Sequence, residues 1–165
     1  MNVETLYNQG LDKAMLGAYG AAIQDFNQAL LMNPENTEIH YNRGLAHIKL
    51  GEYRAAIEDF NEVLKDSSTQ TITHPNQKLL LLTYVNRGFA YHHLENYQTA
   101  LEDYAQALNI DFKFANAYYN RGITHLELGH QQEALEDLET AAQLFSEQDN
   151  MVAYQNIQNL LEIHF

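Results

Sequence analysis

The stretch Tyr41 to Leu64, YNRGLAHIKLGEYRAAIEDFNEVL, decides the fold, because three other parts of the chain repeat its pattern. Aligning on the glycine after its Asn-Arg pair (Asn-Gln in the first copy) finds Gly10, Gly44, Gly88 and Gly122, separated by 34, 44 and 34 residues. Units of 34 are counted from Val3, Thr37, Leu81 and Ala115. Position 6 is then Asn8, Asn42, Asn86 and Asn120, and position 20 is Ala22, Ala56, Ala100 and Ala134. Position 23 is Asp25, Asp59, Asp103 and Asp137; position 24 is Phe26, Phe60, Tyr104 and Leu138; position 27 is Ala29, Val63, Ala107 and Ala141. At 3.6 residues per turn, positions 20, 24 and 27 share one face of a helix, and positions 4, 8 and 11 share a face of an earlier one. The chain reads as all-α, each unit being two amphipathic helices.

Small residues at positions 8 and 20 let the two helices approach closely, and the bulky side chain at 24 fills the space beside them. Gly17, Gly51 and Gly129 at position 15 provide the turn between helices, with Glu95 as the exception. Pro34 stops the second helix of unit one. Helices are expected near 3–16, 19–32, 37–50, 53–65, 75–94, 97–110, 115–128 and 131–145.

This pattern resembles the tetratricopeptide repeat, a helix-turn-helix unit of about 34 residues marked by small residues at 8, 20 and 27, an aromatic at 24 and proline at 32. The resemblance covers roughly residues 3–148, in repeats 3–36, 37–70, 81–114 and 115–148 of a single domain spanning 1–165. It implies a right-handed α-solenoid and a protein-binding scaffold. Only Pro34 keeps the position 32 proline; Ser68, Phe112 and Ser146 stand at the others.

The period breaks between units two and three, where ten extra residues fall in DSSTQTITHPNQKLL. The Ser/Thr cluster reads as a mobile loop over about 66–76, and Pro75 suits the first turn of a lengthened helix. Leu79, Leu80, Leu81 and Leu82 cover most of that helix's circumference and call for a covering surface. A last helix near 150–163 presents Met151, Tyr154, Ile157, Leu160 and Leu161 at spacings of three and four, the pattern of a cap on the exposed end of unit four.

With nine basic and 22 acidic residues the formal charge is -13, which repels nucleic-acid phosphates and anionic lipid and favours a protein or peptide partner, basic in character. Glu58, Asp59, Glu62, Glu136, Asp137 and Glu139 read as the solvated face of the second helices. There are no cysteines, and neither a leader-like N-terminus nor a run long enough to span a membrane; a cytoplasmic protein is expected.

Eight histidines raise a metal hypothesis, but the adjacent His92 and His93 point about 100° apart on a helix, whereas helical ligand pairs sit three or four residues apart. His47 and His125, at position 11, are expected to be packed and hydrogen-bonded. No phosphate loop, nucleophile elbow or His-Glu-x-x-His pattern occurs, so neither an enzyme nor a cofactor is expected.

The resemblance places the peptide groove on the first helices. It runs along Tyr7, Tyr41, Val85 and Tyr119 at position 5 and Leu11, Leu45, Phe89 and Ile123 at position 9, with Leu82 at position 2. Between these rows lie Asn8, Asn42, Asn86 and Asn120, whose amides carry both donors and acceptors for a peptide backbone. The family's two-carboxylate clamp for chaperone C-termini matches only at Asn42; Tyr7, Leu11, Leu82 and Asn86 stand at its other positions, so chaperone tails are not expected. Position 7 carries Arg43, Arg87 and Arg121, expected to pair with the preceding unit's position 23: Arg43 with Asp25, Arg87 with Asp59, Arg121 with Asp103. The competing expectation is a self-associating assembly module using the end faces or the Leu79–Leu82 patch.

Overall fold

The computed structural model describes residues 2–65 and 74–165, with side chains from 77 onward in the second segment. The expected mobile loop lies outside the described residues over 66–73. The helices are α1 (Val3–Met15), α2 (Tyr19–Met32), α3 (Thr37–Leu50), α4 (Tyr53–Leu64), α5 (His74–His93), α6 (Tyr97–Ile110), α7 (Ala115–Glu127), α8 (Gln131–Glu147) and α9 (Met151–His164). Each lies within two residues of its expected bounds.

Local chemistry explains the boundaries. The side chains of Asn2, Asn36 and Asn150 accept from the backbone N–H groups of Thr5, Ile39 and Ala153, capping α1, α3 and α9. The turns inside the units share one geometry. At four of them the backbone N–H two or three residues past the helix reaches a carbonyl at 2.9 Å: Ala18 to Lys13, Glu52 to His47, Asn96 to Tyr91 and His130 to His125. Gly17, Gly51 and Gly129 hold the required left-handed backbone with φ of 77°, 75° and 73°. Glu95 takes the same conformation at φ 59°, and Asp149 repeats it at φ 56° in the turn before α9. The sequence signal for the Asp149 turn was absent, since no glycine marks it.

Packing follows the repeat. The side chain at position 24 lies over the glycine at position 8 so closely that a Cβ on Gly44 would sit 2.7 Å from Phe60, and one on Gly88 2.7 Å from Tyr104. Ala22, Ala56, Ala100 and Ala134 are completely buried. Beyond unit four, α9 packs on α8. Ile157 is buried there, and Tyr154, Leu160 and Leu161 pack against the same cluster as Leu138 and Phe145, whereas Met151 is exposed. The leucine run of α5 is largely absorbed by the fold: Leu80 and Leu81 are buried, Leu79 and Leu82 half-buried. That halves the patch expected to drive self-association.

The first helices of successive units touch one another, α1 with α3, α3 with α5 and α5 with α7, with no comparable contact between successive second helices among the described residues. First helices therefore form the inner side of the curve and second helices the outer side.

Candidate functional site

Three polar systems are superimposed on the inner helices. In the first, the position 7 arginines turn inward. Arg43 donates from Nε and Nη2 to Asp59 at 3.0 and 2.6 Å, Arg87 to Asp103 at 2.8 and 2.6 Å, and Arg121 to Asp137 at 2.7 Å from both nitrogens. The expected pairs with Asp25, Asp59 and Asp103 of the preceding unit are thus replaced by pairs within each unit. The reason is geometric: position 7 of the first helix and position 23 of the second face each other across the helix pair, so a two-pronged guanidinium meets both carboxylate oxygens. Asp25, whose unit has Gln9 instead of arginine, pairs with Lys13.

These aspartates are core groups. Asp59, Asp103 and Asp137 are 2, 3 and 6 % exposed, which corrects the solvated reading of Asp59 and Asp137, while Glu58, Glu62, Glu136 and Glu139 are exposed as expected. Burial pushes the Asp103 carboxyl above its ordinary value, against the opposing pull of Arg87. Asp59 carries a second load, because His40 Nδ1 lies 2.9 Å from it and His40 Nε2 lies 2.8 Å from the Pro34 carbonyl. In units three and four the same position is Tyr84 and Tyr118, with the Arg87 and Arg121 guanidinium groups 5.7 and 5.4 Å from the ring centroids.

The second system joins units. Asn42 Nδ2 donates to the Tyr7 hydroxyl at 2.9 Å and to the Glu38 carbonyl at 2.8 Å; Asn86 Nδ2 donates to the Tyr41 hydroxyl at 3.2 Å and to the Leu82 carbonyl at 2.8 Å. Beside these bonds, Arg43 Nη1 reaches Asn27 of unit one, and Arg87 Nη1 reaches Asn61 of unit two, both at 2.7 Å. The amide donors expected for a peptide backbone are therefore spent at Asn42 and Asn86, where only the side-chain carbonyl oxygen is left as an acceptor. Tyr7 and Tyr41 also rest on Phe26 and Phe60, with centroids 6.1 and 6.0 Å apart, and burial raises both phenols above their usual pKa.

The third junction differs. Val85 replaces the tyrosine and is 6 % exposed, so it is core rather than groove, and Ala105 stands where Asn27 and Asn61 stood. Among the described residues the Asn120 amide makes no side-chain hydrogen bond. The polar contact has moved one turn along: His92 Nδ1 lies 2.8 Å from Thr124 Oγ1, and the Thr124 hydroxyl lies 2.8 Å from the Asn120 carbonyl. Tyr104 is buried beneath it, and that burial drives its phenol well above the usual value. Above this network a depression of about 180 Å³ is lined by Phe89, His92, His93, Tyr119, Asn120 and Ile123, over Tyr104. His93 diverges from His92 and stacks on Tyr53 at 4.7 Å and 14°. Reasoning on sequence missed His92, Thr124 and Tyr104 as a unit, although each departs from the residue its counterparts carry.

Of the other groove residues, Leu11, Leu45, Leu82, Phe89, Tyr119 and Ile123 are half-buried and Asn8 is exposed. His47 and His125 are half-buried. His47 lies 2.6 Å from Glu52, and burial lowers the His125 ring pKa. No helix among the described residues is long and apolar enough to cross a membrane.

Paired helices that stack through their inner members into a curved row define a helix-turn-helix solenoid. Family models agree: tetratricopeptide repeat over residues 7–71, TPR repeat over 88–129, and tetratricopeptide repeat over 115–147. The chain belongs to the tetratricopeptide repeat family, and its fold is the right-handed α-solenoid of that family, an architecture of protein-interaction scaffolds. A comparison with curated protein sequences finds no significant match. Among solved structures it is similar to MamA at 21 % identity and TM-score 0.79, covering 90 % of this chain and 81 % of that one. MamA from Desulfovibrio magneticus RS-1 matches at 22 % identity and TM-score 0.78, covering 90 and 78 %. The first TPR of Spaghetti (RPAP3) bound to an HSP90 peptide matches at 21 % and 0.67, covering 78 and 94 %. These likenesses concern the fold.

Proposed function

We propose that the inner face holds a segment of a partner protein, extended or helical, that carries apolar anchors and basic residues. The observation that supports this most is the continuous row of half-buried apolar side chains, Leu11, Leu45, Phe89 and Ile123. Helices that had to satisfy only their own packing would not leave such a row facing the inside of a curve. The formal charge of -13 favours a basic partner. With Tyr7, Leu11, Leu82 and Asn86 at the clamp positions, the face lacks the cations that would hold a doubly carboxylated chaperone tail.

The test uses displayed random peptides selected on the intact protein, followed by binding of the best sequences to a Leu45→Glu, Phe89→Glu variant. Loss of about tenfold or more in affinity, with helical circular dichroism retained, supports the inner face. Undiminished binding by the folded variant places the docking surface elsewhere.

A further inference from the structure

We propose that the depression at the third junction is the anchoring subsite of the inner face, taking one apolar side chain of a peptide whose next residue is basic. This rests on the reading of the inner face as a peptide groove.

The proton inventory of the junction sets the chemistry. A carbonyl has no proton to give, so the 2.8 Å contact between Thr124 Oγ1 and the Asn120 carbonyl uses the only hydrogen of the threonine. The 2.8 Å contact with His92 Nδ1 therefore has the imidazole as donor. Burial and the neighbouring His93 lower the His92 pKa, so the ring is neutral near pH 7 and its Nε2 carries a lone pair. Among the described residues Nε2 has no hydrogen-bond partner. Asn120 supplies the complementary groups: among the described residues its amide hydrogens and side-chain oxygen are unspent, and Val85 offers no hydroxyl of the kind that receives one of them upstream. A half-buried acceptor and a half-buried amide thus flank a depression lined by Phe89, Tyr119 and Ile123. Those are the two polar functions needed to meet one N–H and one C=O of a peptide backbone.

Size and charge narrow the occupant. A volume of about 180 Å³ is below the range of about 300 Å³ and more that drug-sized ligands use, and suits a single large side chain. Glu127 acts electrostatically on His92 at the edge of the depression, and the formal charge of -13 likewise favours a cationic neighbour. At the upstream junctions Asn42 and Asn86 give their amide hydrogens to tyrosine hydroxyls and backbone carbonyls of the protein itself, so those amides are not free to meet a peptide.

Peptides selected from a random display library on the intact protein are the probe, measured against three single variants. Asn120→Ala removes no hydrogen bond within the described residues, so it folds as the parent does; Ile123→Glu fills the depression with charge; Leu45→Glu alters the upstream groove. The expected result is a consensus pairing a large apolar residue with Lys or Arg, and losses of about tenfold or more for Asn120→Ala and Ile123→Glu with a smaller loss for Leu45→Glu. Losses confined to Leu45→Glu overturn the subsite and leave the groove standing. Equal binding by all three variants, or a selection that yields no peptide, overturns both.

Discussion

At the first two junctions a tyrosine hydroxyl meets the asparagine amide of the next unit and an asparagine on the outer helix meets the next unit's arginine; at the third, valine and alanine occupy those places. The helices are the same, and so are the buried arginine–aspartate pairs. What changes is which polar groups are left over. Closed junctions spend their amides internally, whereas the third is bridged by His92 and Thr124, one turn farther along, and leaves the Asn120 amide unspent among the described residues. A repeat protein can thus differentiate one interface by relocating a hydrogen bond without disturbing the frame around it.

The largest expected effect tests that common frame. Asp59→Ala leaves the Arg43 guanidinium and His40 without their carboxylate in a nearly dry site. It should destabilise the protein by about 3 kcal/mol, whereas Asp103→Ala, which among the described residues releases Arg87 alone, costs about half as much by the same reasoning. Urea unfolding of the two variants measures the difference; equal costs would show that His40 adds nothing to the second unit.

Next comes the tyrosine bridge. Tyr41→Phe removes the hydroxyl that receives the Asn86 amide and should cost about 1 kcal/mol, while Tyr119→Phe, at the same position of unit four and without a side-chain hydrogen bond among the described residues, should cost about 0 by the same count. A matching loss in Tyr119→Phe would break the distinction between closed and open junctions.

The smallest effect concerns Glu95, a non-glycine residue in the left-handed region at φ 59° where three sister turns have glycine. Glu95→Gly relieves that strain and should raise the melting point by the equivalent of up to about 1 kcal/mol.

Much of the frame was legible beforehand, because backbone periodicity depends on residue type alone. Helix bounds, the close approach at Gly44 and Phe60, and the α9 cap follow from apolar spacing and small residues. Pairing partners did not follow, for a physical reason. Position 7 lies between two aspartates, one in its own unit and one in the preceding unit, and period cannot say which the side chain faces. The absence of arginine from unit one, Gln9, fitted either choice. The state of the asparagines is equally hidden, because an amide looks the same in sequence whether or not a hydroxyl 35 residues upstream receives one of its hydrogens. The signal for the third junction was present as Val85, Ala105, Tyr104 and Thr124, four departures that become meaningful only when helix packing brings them together.

The most direct test observes the side-chain amides themselves. In a nitrogen-15 heteronuclear correlation spectrum titrated with a selected peptide, the Asn120 amide resonances should shift strongly, with those of Asn42 and Asn86 staying near their free positions because their hydrogens remain on Tyr7, Tyr41 and the backbone. Large shifts at Asn42 and Asn86 with Asn120 unmoved would contradict it.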